Sequence, residues 1–427
     1  MALFLDLSLL RTHPSYRRLL IGLGVSNIGT QLTVMAVGLQ VYSITHSTLS
    51  VGILGLCALV PLVLLGLYGG ALVDAYDRRR VALASAIGLW LVTILLAIQA
   101  WLHVDSVLVL YALVAVQSAG FAINNPARSA IVPRLVEAER LPAANVLQTI
   151  EMNIAFTGGP LIGAVLVAAW GYGAAYTVDA ILFSASLWAL WRLPDLPPVI
   201  TDGEQSTMRG LSSVLEGLRY LATRPNVRMT FVVDLIAMIC AMPRVLFPAV
   251  GVVYLGGGAT TTGLLTAAFA IGAVLAGVFS GGLVRVRRQA RVIVIAIGCF
   301  GLSIAAFGAV LVGTGGRTPT DVIMVSLVLA MIFLAMAGGS DSISAVFRQT
   351  ILQSATPDHM RGRLQGVFIV VVAGGPRLGD LVLGAESHWL GEGWTAVIGG
   401  LTCVVLLTLV VSVQRRFLDY DARHPEP

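Results

Sequence analysis

The sequence TGGPLIG at residues 157–163 recurs as AGGPRLG at residues 373–379, and both copies lie inside long apolar stretches. Proline removes one backbone hydrogen-bond donor, and glycine lets neighbouring helices approach closely while it weakens the helix. The pattern therefore predicts two equivalent halves, each with one helix that can bend. The alternative is an ordinary small-residue packing face. The gating residues predicted from the repeat are Gly158, Gly159, Pro160, Gly374, Gly375 and Pro376.

Two further features repeat in the same order along the chain. The stretches 128–145 and 348–365 each begin with an arginine and contain a proline, and glycines followed by arginines recur at 69–80 and 281–291. Internal repeats are common in transporter folds, where the substrate site lies near the bilayer midplane between them. Three matched features in one order favour a duplicated architecture.

Hydropathy divides the chain into twelve apolar segments of about 20 residues, the length that a helix needs to cross a hydrocarbon core about 30 Å thick. A composition of 57% hydrophobic and 11% charged residues agrees with a chain that is mostly embedded in lipid. The sequence therefore predicts an all-α membrane protein with twelve transmembrane helices in two six-helix halves. The predicted spans are Leu19–Tyr42, Val51–Val73, Val81–Trp101, Val107–Ile123, Ala144–Trp170, Ala174–Leu193, Val227–Leu255, Thr262–Val284, Val292–Val312, Val322–Ile343, Leu364–Ala385 and Trp394–Val413.

The predicted halves are residues 1–193 and 227–413, with a linker at 194–226 and a tail at 414–427. The linker holds most of the long polar sequence. Its later part, Leu211–Ala222, is expected to form an amphipathic helix at the membrane interface.

The basic residues predict the topology. All 27 are arginine, and 24 of them fall on one side of the predicted helices, the exceptions being Arg244, Arg317 and Arg377. Short arginine-rich loops stay in the cytoplasm. We therefore expect both termini and the linker to be cytoplasmic. The net charge of +5 reflects arginines at the lipid headgroups, so nucleic acid is not an expected partner.

Several chemistries are excluded by residues that the chain lacks. Without lysine it can form neither a Walker phosphate-binding loop nor a Schiff base. The four cysteines lie in apolar segments without the paired spacing of a zinc site or a disulfide framework. We expect no cofactor, no metal and no enzymatic activity, and we expect an ion gradient to supply the energy for any uphill transport.

Charged residues inside the predicted helices are functional candidates, because insertion of Arg or Asp at a helix centre costs about 2.5 to 3.5 kcal/mol. Arg244 can recognise an anion through its five donors, and the alternative is a structural pair with a carboxylate. Asp234 lies ten residues earlier in the same predicted helix, close to three turns away, and is therefore expected on a roughly similar face. Glu151 and Asp234 are the predicted proton-coupling carboxylates.

Four other intramembrane charges are expected to be structural. Arg377 and Asp380 are i, i+3 neighbours that can neutralise each other on one helix. Asp179 and Asp341 lie nearer the ends of their predicted segments and are expected to cap or pack.

The stretch GALVDAYDRRR at residues 70–80 resembles the cytoplasmic signature of the major facilitator superfamily, and residues 158–163 resemble its antiporter motif. Residues 7–17, LSLLRTHPSYR, are similar to the amino terminus of siderophore exporters in that superfamily. Residues 126–133 and 348–350 are typical of its related drug-efflux group. The resemblance covers nearly the whole chain and implies secondary transport by alternating access, usually driven by protons.

The resemblance also implies roles for particular residues. It assigns Asp74, Arg78 and Arg79 to a cytoplasmic gate, although Ala75 and Asp77 replace the basic residue and the glycine that usually follow the aspartate. In this fold the first helix of each three-helix repeat lines the cavity, and interhelical hydrogen bonding is the alternative role for its polar residues. The predicted cavity residues, besides Arg244, are Asn27, Gln31, Gln117 and Asn124.

The expected function is export of an enterobactin-like catecholate siderophore across the bacterial cytoplasmic membrane, with protons and the lipid bilayer as further partners. The alternative is multidrug efflux of amphipathic drugs by antiport. A non-transporting receptor or scaffold is a hypothesis from another class, and it requires no paired bendable helices. Periplasmic or outer-membrane partners are left open.

Overall fold

The computed structural model describes residues 8–137, 140–196, 210–279, 286–315, 319, 321–356 and 358–423. Every regular element in these ranges is a helix. The first six helices are α1 Ser8–Thr12, α2 Pro14–Thr45, α3 Thr48–Ala75, α4 Arg78–Trp101, α5 Val107–Leu135 and α6 Leu141–Trp191.

The second part of the chain begins with the linker helix α7, Gly210–Thr223, which confirms the helix predicted there. Three short elements lie between Ala241 and Leu255: a 3-10 turn at Pro243–Leu246, a three-residue helix at Phe247–Ala249 and a π turn at Val250–Tyr254. A last 3-10 turn lies at Arg415–Asp419. The remaining helices are α8 Pro225–Ala241, α9 Phe247–Ala249, α10 Gly258–Phe279, α11 Gln289–Gly313, α12 Met324–Ser354, α13 Asp358–Leu390 and α14 Glu392–Val413.

In the described ranges, ten helical stretches are long and apolar enough to cross a membrane. One of them, Ala143–Trp191, covers two predicted segments and is broken at Gly171, where φ is 78° and ψ is −178°. The eleventh predicted segment lies within α13. The helical membrane fold is thus confirmed, and the count of twelve stays a prediction.

Two helices extend well beyond the predicted apolar segments. Helix α5 ends at Leu135 where hydropathy predicted Ile123, and α12 ends at Ser354 where it predicted Ile343. Hydropathy detects only the apolar part of a helix, whereas its hydrogen bonds continue into polar sequence. Asp341, predicted near an end, therefore lies well inside α12.

Contacts divide the chain into two compact units. Unit 1 comprises Met1–Gln40 and Cys57–Gly210, and unit 2 comprises Val41–Leu56 and Leu211–Pro427. The end of α2 and the beginning of α3 thus belong to unit 2, while the remainder of both helices belongs to unit 1.

The core of unit 1 combines alanines with large apolar side chains. Ala82, Ala127 and Ala144 are fully buried beside Tyr16 and Phe183. Small side chains let the helices approach closely in a bilayer, where dispersion contacts stabilise helix packing. The Tyr16 hydroxyl donates to the carbonyl oxygen of Ala144 over 2.9 Å, which satisfies the polar end of this ring inside the core.

Candidate transport site

The first copy of the glycine-proline repeat packs α6 against α2 within unit 1. A Cβ atom added at Gly159 would lie 2.6 Å from Cβ of Gln31 and 2.8 Å from the carbonyl oxygen of Ile28. One added at Gly163 would lie 3.2 Å from Leu32. Only glycine permits this approach. Pro160 lies within the helix, and the non-helical residue of α6 is Gly171.

The second copy packs α13 against α8 within unit 2. A Cβ atom at Gly375 would lie 3.3 Å from Cβ of Met238, and one at Gly379 would overlap the Met238 carbonyl oxygen. Gly374 is buried, and Pro376 lies inside α13. Both copies therefore hold the repeat helix against the first long helix of their own unit.

Glu151 contacts two residues of α2 in unit 1. The Asn27 side-chain amide donates to Glu151 Oε1 over 2.8 Å. A Cβ atom at Gly24 would lie 2.7 Å from Glu151 Cγ, so the absence of a side chain at Gly24 makes room for the carboxylate. Gln31 is half-buried one turn further along α2. A predicted proton-coupling residue and a predicted cavity residue are therefore hydrogen-bonded to each other.

The polar residues of α5 differ in their surroundings. Asn124 is buried, and its amide nitrogen donates to the Ala82 carbonyl oxygen over 2.9 Å and to Ser85 Oγ over 3.0 Å. These bonds join α5 to α4, which matches the alternative of interhelical hydrogen bonding. Gln117 is half-buried.

Asp234 forms a buried ion pair in unit 2. Its partner is Arg348, and each side chain is 6% exposed. A second carboxylate, Asp341, lies 3.5 Å from Arg348 Nη2. Sequence reasoning missed Arg348 because the predicted segment ended at Ile343, whereas α12 carries Arg348 inside the folded bundle. The sequence did contain a signal for this pairing, because Arg348 follows the intramembrane Asp341 by about two helical turns.

The prediction that Asp234 and Arg244 share one helical face was wrong. Helix α8 ends at Ala241, and Met242 is extended, with φ −75° and ψ 107°. Pro243 causes the break, because its ring disfavours the helical conformation of the preceding residue and it has no N–H to donate. Arg244 therefore lies in the 3-10 turn that follows, out of register with α8.

Arg244 is exposed although Val245, Leu246 and Phe247 beside it are buried. Its guanidinium carbon lies 5.9 Å from the centroid of the Phe269 ring, within the range of a cation–π interaction. It interacts electrostatically with Asp341 and Asp380. An accessible cation beside an aromatic ring, surrounded by apolar side chains, can bind an aromatic anion.

Asp380 also interacts electrostatically with Arg377, as the i, i+3 spacing predicted. Three aspartates and three arginines are thus linked within unit 2, with a formal net charge of zero. We call this set the unit 2 charge cluster: Asp234, Arg244, Asp341, Arg348, Arg377 and Asp380. Its members neutralise one another, and an anionic ligand at Arg244 would compete with the carboxylates.

Arg78 and Arg79 contact other helices of unit 1. Arg79 donates to Asp195 Oδ1 over 2.7 Å and to the Trp191 carbonyl oxygen over 2.6 Å, where α6 ends. Arg78 Nη1 donates to the Ala130 carbonyl oxygen of α5 over 3.4 Å. The side chain of Asp74 lies outside the described residues, so its place in the predicted gate is untested.

Asp77, which replaces a glycine of the superfamily signature, has two structural contacts. Its Oδ1 accepts from the backbone N–H of Arg80 over 2.9 Å and so caps the N-terminus of α4. Its Oδ2 accepts from the N–H of Leu196 over 2.7 Å. The departure from the signature therefore ties α4 to the segment after α6.

Long apolar helices, buried charges and a repeated helix-packing motif define a multi-pass membrane transporter rather than an enzyme. The profile of the transmembrane secretion effectors, a family of the major facilitator superfamily, matches residues 7–427, and the chain belongs to that family. Its cargo is a small molecule.

The relatives are similar over almost the whole chain. An enterobactin exporter EntS from Citrobacter koseri is 30% identical over 435 residues, covering 99% of this chain and 97% of that one. The enterobactin exporter EntS of Escherichia coli O1:K1 / APEC is 30% identical over 425 residues, covering 97% and 95%.

Solved transporter structures share the fold at low sequence identity. The nucleoside transporter NupG has a TM-score of 0.75 at 13% identity, covering 94% of this chain and 99% of that one. A bacterial homologue of the iron transporter ferroportin, in an inward-facing state, has a TM-score of 0.68 at 13% identity, covering 95% and 98%. These likenesses confirm the fold alone.

Proposed function

We propose that this chain is a proton-coupled secondary exporter that moves an enterobactin-like catecholate siderophore out of the cytoplasm by alternating access. The observation that carries the proposal is the similarity, over nearly the full length of both chains, to proteins named enterobactin exporters. It lies in the bacterial cytoplasmic membrane.

The chemistry of Arg244 supports a catecholate as the cargo. A catecholate offers adjacent anionic oxygens on an aromatic ring. The Arg244 guanidinium can donate two parallel hydrogen bonds to such oxygens. The Phe269 ring, whose centroid lies 5.9 Å from the guanidinium carbon, offers an apolar surface for a second aromatic ring of the cargo. Asn27 and Gln31 on α2, and Gln117 and Asn124 on α5, are the neutral hydrogen-bonding groups of unit 1 proposed as cargo contacts.

A proton gradient is the proposed energy source. Moving one unit charge across the membrane changes the free energy by about 2.3 kcal/mol per 100 mV, and the lysine-free sequence has no Walker loop for ATP. Glu151, bonded to the neutral Asn27, is the first proposed proton carrier. Asp234 would have to separate from Arg348 before it could bind a proton. An uncoupler should therefore reduce efflux even when the ATP concentration is held constant. Undiminished efflux under these conditions would contradict this proposal.

The paired glycine-proline helices are the proposed moving parts. Their close contacts with α2 and α8 let each repeat helix slide or bend against the first helix of its unit. Asp74, Arg78 and Arg79 form the proposed cytoplasmic gate. Asp74→Asn should slow transport while the protein still inserts normally, and wild-type flux in the normally expressed variant would contradict the gate.

The proposed topology keeps both termini and the linker in the cytoplasm. A single cysteine at Gly203, in a protein whose four native cysteines are replaced by alanine, tests it directly. An impermeant thiol reagent should label this cysteine only after the cells are opened. Labelling in intact cells would overturn the topology.

The decisive experiment compares two cargoes in one variant. In a deletion strain that expresses Arg244→Ala, the apparent affinity for enterobactin should fall about ten- to a hundredfold, since a lost charge-assisted donor costs about 1.5–3 kcal/mol. The affinity for a cationic dye should change far less. Arg219→Ala, on the exposed surface of α7, is the matched control and should leave both affinities unchanged.

The other outcomes identify the competing functions. Efflux of the dye but not of enterobactin by the wild-type protein would favour multidrug efflux. Equal loss of both affinities, with folded protein in detergent, would make Arg244 a structural or coupling residue. Absence of flux for both cargoes would favour a receptor or scaffold.

A further inference from the structure

Asp179 is a buried carboxylate that the proposed mechanism does not yet use. It lies in α6, eight residues after the break at Gly171, and is only 1% exposed. A Cβ atom at Gly29 of α2 would overlap Asp179 Oδ1 and lie 3.2 Å from Asp179 Cα. The carboxylate is therefore enclosed where α2 and α6 touch. Of the two roles expected for Asp179, capping or packing, the structure matches packing, because the backbone continues as helix on both sides of it.

The partners of Asp179 are too few for a buried anion. Thr33 Oγ1 donates to Oδ2 over 2.5 Å, and Oδ1 has no hydrogen-bond partner among the described residues. The ion pairs in the described part of the chain include none with Asp179. Burying an ionised carboxylate without a partner costs several kcal/mol, and a bound proton removes that cost.

The elements packed around Asp179 bring no described cation to it. Helix α4 contributes tryptophan N–H groups, which donate to the carbonyl oxygen of Ala180 and to Thr177 Oγ1. On α6 itself the titratable neighbour is Tyr176, one turn earlier. Another carboxylate of α6, Glu151, contacts α2 through Asn27, which lies six positions before Thr33.

A buried chain of neutral hydrogen-bonding groups begins one turn from Asp179. The Tyr176 hydroxyl donates to Gln40 Oε1 over 2.7 Å. Gln40 and Gln99 exchange two hydrogen bonds, of 3.2 and 3.1 Å. All three side chains are buried. These groups lie near the C-terminal ends of α2 and α4, which meet the outer loops in the proposed topology, so polar side chains are buried on that side of Asp179.

We propose that Asp179 is a proton-binding carboxyl of the transport cycle, a second one beside Glu151. In the enclosed state shown here a proton is bonded to a carboxylate oxygen and the side chain is neutral. When water reaches the site, the O–H bond breaks, the proton passes to water, and a carboxylate remains. A metal cation would need several oxygen ligands, and one carboxylate with one hydroxyl does not supply them. The role in transport rests on the proposed proton-coupled export.

The first experiment needs neither cargo nor coupling. Infrared spectra of the purified full-length protein, recorded across a pH titration, should contain the C=O stretch of a buried protonated carboxylic acid. Asp179→Asn should remove that band, Asp179→Glu should shift it, and Asp105→Asn, at an exposed loop position, should leave it intact. A folded Asp179→Asn protein with the wild-type spectrum would overturn the assignment of the proton to Asp179.

The second experiment tests the coupling role in proteoliposomes with enterobactin as the probe. Asp179→Asn should retain exchange of enterobactin without a pH gradient and should lose the stimulation of net transport by the gradient. Gradient stimulation equal to that of the wild type would overturn the coupling role. Wild-type transport that ignores the gradient would instead overturn proton-coupled export itself, and the infrared result would be unaffected.

Discussion

The two units share a packing pattern and differ in how they hold buried charge. In unit 1 the intramembrane carboxylates Glu151 and Asp179 have neutral hydrogen-bond donors, Asn27 and Thr33, and Glu151 also interacts electrostatically with Arg128. In unit 2 Asp234 has an arginine, Arg348. Both copies of the repeat have close contacts of glycines with another helix of their unit, whereas the charged side chains differ between the units.

The difference has an energetic meaning. A carboxylate whose described partners are all neutral, as at Asp179, can lose its charge by binding a proton, so its protonation state can follow its surroundings. A carboxylate in a buried ion pair stays charged, because removing either partner leaves an uncompensated charge. We infer that unit 1 is suited to carry protons and that unit 2 is suited to hold an anionic cargo at Arg244.

The largest expected effect is on stability, and it compares the Asp234–Arg348 ion pair of unit 2 with the neutral surroundings of Asp179 in unit 1. Arg348→Ala should reduce the free energy of unfolding by about 3–5 kcal/mol, because Asp234 would remain buried without its partner. Asp179→Asn should cost about 1 kcal/mol, the usual value of one hydrogen bond. Unfolding of the purified proteins in denaturing detergent measures both.

The double variant Asp234→Ala/Arg348→Ala is the control for the ion pair, and it should recover part of the loss. Equal destabilisation by Arg348→Ala and Asp179→Asn would remove the distinction between the units.

A smaller effect tests the shared packing. An added methyl group in a tight helix contact costs about 1–3 kcal/mol. In the first copy of the repeat the closest helix contact is at Gly159, and in the second copy it is at Gly379. The glycine whose replacement by alanine destabilises the protein more should therefore differ between the units. Gly159→Ala should destabilise more than Gly163→Ala, and Gly379→Ala more than Gly375→Ala.

Gly158→Ala is the matched control for these variants, because a Cβ atom there meets nothing within 4 Å in the described part of the chain. Thermal unfolding in detergent ranks the five proteins. The same order of sensitivity in both copies would contradict the close contacts described here.

The smallest expected effect concerns the cap that unit 1 has at α4. Asp77→Ala should lower the free energy of unfolding by about 1 kcal/mol, because the backbone N–H of Arg80 loses its acceptor. Asp77→Asn should retain most of the stability, since asparagine also caps helices. Equal losses in the two variants would show that charge, rather than capping, is what Asp77 contributes.

The sequence was sufficient to predict the helical membrane fold, because a run of about twenty apolar residues can satisfy its own backbone hydrogen bonds in a bilayer by forming a helix. It also predicted close helix contacts at the repeated glycines, although it could not identify the partner helix. Arg348 was missed because hydropathy ends a segment where polarity begins. The position of Arg244 was wrong because Pro243 ends α8 inside an apolar stretch, where hydropathy gives no sign of a break.

Gly171 is a one-residue joint within α6, the longest helix in the described part of the chain. Its φ of 78° and ψ of −178° lie in a region open essentially to glycine alone, and one residue replaces a loop between the two helical parts of α6. The repeat motif at Pro160 and the carboxylate at Asp179 therefore lie on two helical parts that are joined by one residue. A connection this short leaves little room for one part to tilt without moving the other.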